Sequence, residues 1–163
     1  MASTITAATM TVTITESVSL NGYDQGSSNI FTVASVNEVV KRIVTIPAAE
    51  TGLIAMGATI QTDLSKSYVA GLFTEASVRY IRVTNKDDTN FVTLTFKSEG
   101  NHEFAVKLDA KNSFIYPCDM AGGAVDTMDA NTSALTVALE DLVDVTAIAD
   151  TADCDLEVFV ASV

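Results

Sequence analysis

The sequence predicts an all-β protein, a single antiparallel β-sandwich of jelly-roll type with about nine or ten strands. Two observations carry that prediction. Between Met10 and Leu20, apolar and hydroxyl side chains alternate almost without a break. Beyond that stretch, short segments rich in Val, Ile, Thr and Phe recur about every 8–12 residues, each bounded by turn-forming residues. The length, 163 residues, fits one domain spanning 1–163.

The first strand is the clearest. Met10, Val12, Ile14, Val18 and Leu20 share one parity, with Glu16 as the exception, and Thr9, Thr11, Thr13, Thr15, Ser17 and Ser19 take the other. Period two with threonine on the polar face describes a long half-buried strand. Residues 1–9 precede it as an extended N-terminal arm. Asn21-Gly22 and the polar residues Asp24 to Asn29 predict a turn or loop.

Ile30–Val36 and Val39–Ile46 follow as strands, the second stopped by Pro47, which has no N–H to donate to a ladder. Leu53–Ile60 and Tyr68–Phe73 are shorter segments around the polar stretch Gln61–Ser67. Val78–Thr84 and Phe91–Ser98 flank Asn85–Asn90, whose residue types predict a hairpin. A second turn at Glu99-Gly100-Asn101 leads into His102–Asp109, with Phe104, Val106 and Leu108 on one face. Ser113–Tyr116 is closed by Pro117, and Asp119–Asn131 is a Gly/Asp/Ala-rich loop. Leu135–Leu139, Val143–Ile148 and Leu156–Val163 complete the strands. A helix over Ala134–Asp144 competes for part of this region, because Leu135, Leu139 and Leu142 recur at helical spacing while Thr136 and Val137 favour a strand.

Charge narrows the function. Lys and Arg number nine against 21 Asp and Glu, a net of −12. Residues 110–163 hold Lys111 alone against ten acids, so most of the imbalance is C-terminal. Such a chain has no basic footprint for nucleic acid, which is not an expected partner. Charged residues make up 18% of the chain, below the usual figure of about 25%. Mean hydropathy is +0.30, yet no apolar run is long enough for a membrane span, so no membrane partner is expected. A chain this poor in charge either tolerates a bland surface or buries part of it against a partner, and a homo-oligomer is expected. The opening Met1-Ala2-Ser3-Thr4-Ile5 has neither basic nor apolar signal character, so synthesis in the cytoplasm is expected.

Candidate chemistry is sparse. His102 is the sole histidine and lies on a strand beside Phe104 and Val106, so a structural role outweighs catalysis; no catalytic residue is assigned. No phosphate-binding, nucleophile-elbow or dinucleotide motif occurs, and no cofactor is expected. Asp126-x-x-Asp129-x-Asn131 and Asp150-x-x-Asp153-x-Asp155 share one spacing of oxygen donors, which solvated turns explain and structural Ca²⁺ would also use. Cys118 and Cys154 form no metal motif. Cys154 shares parity with Leu156, Val158 and Val160 as a small buried hydrophobe, with a disulfide to Cys118 as the alternative. Arg79 and Arg82 fall on opposite faces of their strand and serve internal salt bridges or a subunit contact. Candidate interface residues are Arg79, Arg82 and the loop from Asp119 to Asn131.

Three stretches carry a resemblance. Arg79-Tyr80-Ile81-Arg82-Val83-Thr84-Asn85 running into Asp88–Val92, the Val39–Pro47 segment around Lys41-Arg42-Ile43-Val44, and the ending Asp153–Ala161 resemble small virion structural proteins of tailed bacteriophages, marine and cyanobacterial ones above all. The resemblance implies a non-enzymatic protein located in the virion. Its expected role is a capsid decoration or cement protein, trimeric, whose partners are the major capsid protein or other virion proteins. A tail, neck or fibre component, or a carbohydrate- or receptor-binding module, are the alternative roles.

Overall fold

The computed structural model describes residues 5–56, 67–68, 72–125 and 139–163. All regular structure among them is strand. Four strands precede the sandwich: β1 (Ala8–Glu16), β2 (Ser19–Leu20), β3 (Tyr23–Asp24) and β4 (Ser27–Val36). Then come β5 (Glu38–Ile46), β6 (Thr51–Met56), β7 (Ser67–Tyr68), β8 (Leu72–Phe73), β9 (Val78–Asn85), β10 (Val92–Ser98), β11 (Glu103–Leu108) and β12 (Ser113–Tyr116). The chain closes with β13 (Ala124–Val125), β14 (Leu139–Glu140), β15 (Leu142–Ala149) and β16 (Cys154–Ser162).

Two four-stranded antiparallel sheets form the sandwich, in the orders β12-β9-β16-β5 and β11-β10-β15-β6; β7 and β8 add to β6 in parallel. Of the eight long sandwich strands taken in chain order, the first sheet holds the first, eighth, third and sixth. The second holds the second, seventh, fourth and fifth. That interleaving is a jelly roll, as the strand spacing predicts. Among these eight strands as described, β10 and β11 are the consecutive pair that neighbour each other in a sheet, through the turn at Glu99–Asn101.

The core lies between the sheets. Along β10 and β16 alternate side chains are buried, so Val92, Leu94 and Phe96 meet Leu156, Val158 and Val160 across the interface. Phe96 stacks on Phe104 at 4.8 Å and takes Tyr116 edge-on at 5.7 Å. Such rings bury large apolar areas and favour offset or edge-to-face contact. Cys154 is buried in this core, and both cysteines are free thiols; the alternative disulfide does not form.

Three sequence expectations change. Asn85–Asn90 is a corner between sheets, because β9 pairs with β12 and β16 while β10 pairs with β11 and β15. The Asn85 side chain, wholly buried, holds that corner: its amide donates to the carbonyls of Asn90 and Leu108, and its oxygen accepts from Asp87 N–H. Asp24 and Ser27–Asn29, read as loop, lie in strands, with Gln25-Gly26 between them. The helical alternative falls away where it can be judged, since Leu139–Glu140 and Leu142–Ala149 are strands; residues 131–138 lie outside the described residues.

Candidate interaction surface

The strands before the sandwich form one continuous ribbon. Partners run from Met10↔Val33 through Val12↔Phe31, Ile14↔Asn29 and Glu16↔Ser27 to Leu20↔Tyr23, in constant register. A two-residue turn closes it, with Asn21 at φ 53° and Gly22 at φ 81°. Both central residues are left-handed, the conformation that matches strand twist and that Asn-Gly adopts at least cost. Gly26 keeps the ladder intact, because a Cβ there would run into the Glu16 carbonyl oxygen.

Constant register sorts the side chains by face. Met10, Val12, Ile14, Glu16, Val18 and Leu20 share one face with Val33, Phe31, Asn29, Ser27 and Tyr23. The near half of that face packs on the outer surface of the first sheet, where Met10, Val12, Phe31 and Val33 surround Tyr80 and Ala161. Phe31 lies 6.1 Å from Tyr80, and Phe159 meets Tyr80 edge-on. The base of the ribbon is tied where Asn37 N–H donates to the Ser162 carbonyl. Residues 31–35 of β4 share a hollow with Val163, Arg79, Pro117 and Asp119, and Ile115 of β12 packs in the ribbon's cluster. The ribbon therefore crosses the sheet away from β5.

Its far half has no such cover among the described residues. Leu20 is 63% exposed and Tyr23 73%, and Val18 is exposed as well; Ile30, opposite Thr13, is exposed on the other face. From Ile14 to Leu20 the overhang is about 20 Å at ~3.4 Å per residue. A two-stranded ribbon exposed on both faces is marginal in water by itself. A second apolar patch lies on the opposite edge of the same sheet. There β5 pairs with β16 alone among the described residues, and Val39 and Ile43 (62% exposed) flank Lys41 on its outer face.

The predicted interface residues are engaged within the chain. Arg79 donates to Asp119 at 2.9 Å and to the carbonyls of Ala76 and Val78. Arg82 donates to Glu157 at 2.5 Å and lies over the Phe159 ring; Lys41 approaches the other oxygen of Glu157 at 3.3 Å. Asn131, Asp126 and Asp129 lie outside the described residues. Of the N-terminal arm, Ala8 and Thr9 prove to belong to the ribbon or its start, and the exposed Ile5 precedes it.

Two polar clusters are distinct from this surface. At one end of the sandwich Asp87, Asp88, Asp153 and Asp155 line a hollow with Thr45 and Lys86. Each of three is committed locally. Asp87 accepts from the Asn90 and Thr89 N–H groups, which hold its carboxyl below the usual range; Thr45 donates to Asp155 at 2.6 Å; Lys111 pairs with Asp88. Asp150 sits nearby, its N–H bonded to the Phe91 carbonyl. Among the described residues no three His, Cys, Asp or Glu side chains are grouped to hold a metal.

The second cluster is Ser98, His102 and Glu140. Glu140 accepts from the Ser98 hydroxyl and meets His102 Nδ1 at 2.9 Å, and those two contacts, the hydroxyl first, hold its carboxyl below the usual range. The hydroxyl faces the carboxylate and not the ring, so this is a clamp between the β10–β11 turn and β14 rather than a nucleophile with its base.

The ribbon's far end was only half legible in sequence. Alternation marked its apolar face, but nothing local shows that the sheet beneath ends before the ribbon does. No family model, curated protein or solved structure matches the chain.

Proposed function

We propose that this chain is a non-enzymatic structural protein of a tailed-bacteriophage virion, a decoration or cement subunit that stabilises the assembled capsid shell. The observation that carries the proposal is the projecting ribbon, an ordered element whose apolar face is half covered at home and half left for a neighbour. The stretches that resemble virion proteins support it, because Val39–Pro47, Arg79–Asn85 and Asp153–Ala161 coincide with β5, β9 and β16, neighbours in the sheet the ribbon crosses. The jelly roll is an architecture shared by viral capsid, lectin and cupin domains, which is support by analogy. The mechanism is mass action: a subunit that binds the closed shell, and not its separated components, lowers the free energy of the closed state.

Particles purified from the culture that carries this gene test the role. This chain should co-purify with DNA-filled capsids in stoichiometric amount, and particles stripped of it should release DNA at lower temperature until it is added back. Absence from the particles would overturn the role. The exposed Tyr23 at the ribbon tip favours a receptor- or carbohydrate-binding component as the second reading; attachment of the chain to host cells, lost in Tyr23→Ser, would mark that role instead.

A further inference from the structure

We infer that the far half of the ribbon docks on the outer face of β5 of a second copy, joining subunits head to tail, an inference that rests on the assembly role proposed above. Three observations converge. The first is continuity: the near half of the same face already packs on this very sheet in its own subunit, through Val12 and Phe31 on Tyr80 and Ala161. A neighbour's sheet offers the far half the same kind of surface.

The second is position. The ribbon crosses the sheet away from β5 and toward β12, so donor and acceptor patches lie toward opposite edges of one molecule. A patch and its complement on different sides make a heterologous contact, which propagates to the next copy and closes into a ring when the rotation allows.

The third is complementarity. The one acidic side chain on the ribbon's apolar face is Glu16, between Ile14 and Val18; Ser27 Oγ holds its carboxylate at 2.5 Å. The outer face of β5 reads Val39, Lys41, Ile43, the same spacing with the opposite charge at its centre. Run antiparallel, the two place Glu16 against Lys41 and apolar side chains on either side. Lys41 approaches Glu157 of its own sheet at 3.3 Å yet stays 59% exposed, open to a second carboxylate, and the ribbon carries Glu16 and Asp24 with no Lys or Arg to repel it. Glu16, the one charge in the apolar row that β1 lays along this face beside Asn29 and Ser27 of β4, becomes the residue that sets register.

Light scattering behind size exclusion tests the contact on the full chain. The native chain should run as a closed oligomer, and Leu20→Asp and Ile43→Asp should each run near 17.2 kDa. Both positions are exposed, so the melting temperature of the monomer should be preserved. Mixing the two variants should restore a heterodimer and nothing larger, since one intact arm meets one intact face. Glu16→Lys should weaken assembly about tenfold or more, and mixing it with Lys41→Glu should recover both contacts, one as the native pair and one with its charges reversed. An oligomer indifferent to all four substitutions would overturn the docking while leaving the assembly role standing. A native chain that is monomeric at every concentration yet decorates capsids would also overturn it; a monomer that neither assembles nor binds capsids would remove both.

Discussion

The side-chain amide of Asn85 donates to the main-chain carbonyl of Leu108 at 3.2 Å, from one sheet of the sandwich to the other. The same amide donates to Asn90 at 2.9 Å and the side-chain oxygen accepts from Asp87. A buried amide with its hydrogen bonds made fixes the angle at which the chain turns from β9 into β10. Left unmade, those groups cost their full desolvation. Asn85→Ala should therefore destabilise the chain by about 2–3 kcal/mol, and Asn85→Leu by a comparable amount despite its better volume, in urea titration followed by circular dichroism. A loss below about 0.5 kcal/mol would show that the corner is held elsewhere.

Gly26→Val should damage the ribbon and spare the sandwich. Any Cβ at this position runs into the Glu16 carbonyl oxygen, so the backbone must part there. The ribbon packs through its own cluster around Tyr80, separate from the main core. Hydrogen exchange should accelerate across Thr11–Glu16 and Ser27–Phe31, with protection at Leu94 and Val158 unchanged. Equal acceleration in both regions would show that ribbon and sandwich unfold together.

The Glu140 clamp gives an acid dependence whose sign follows from its hydrogen bonds. The Ser98 hydroxyl and then His102 hold its carboxyl below the ordinary 4.5. A lowered folded value means the stabilisation is present above pH 4.5 and is lost as pH falls through the folded value. Glu140→Gln should flatten the acid limb of a melting-temperature profile below that pH. The profile of the variant running parallel to the native one would refute the assignment.

Tyr116 acts at the other end of the scale. Its hydroxyl donates to the Gly123 carbonyl, and burial, reinforced by Cys118, pushes its pKa from 10.0 up to about 12. A raised value means full stability below pH 10, lost as pH rises toward 12, because the unfolded chain ionises first. Tyrosinate absorbance should show a late-titrating phenol that is lost in Tyr116→Phe, beside the upward shift that burial gives Tyr80. That variant should also resist alkaline unfolding better than the native chain above pH 10. Early titration of all four tyrosines would contradict it.

Strict alternation, Thr-rich polar faces and punctuation by Pro47, Pro117 and Asn21-Gly22 suffice to declare strands, because those signals act within a few residues. The sequence by itself thus determined an all-β sandwich, the apolar face of β1 and Cys154 as a core residue. Sheet membership was beyond it. Asn85–Asn90 has hairpin chemistry, yet it turns a corner, because β9 pairs with β12 and β16 while β10 pairs with β15, all distant in the chain, and with β11 across the next turn. Met120 shows the same limit: it lies in a stretch read as loop and is wholly buried under the sandwich edge. Only the tertiary structure decided that Arg79 meets Asp119, that Arg82 meets Glu157, and that Leu20 and Tyr23 lie past the end of the surface covering Met10 and Val12. Alternation states which face of a strand is apolar; what lies against that face is set by chain segments far away.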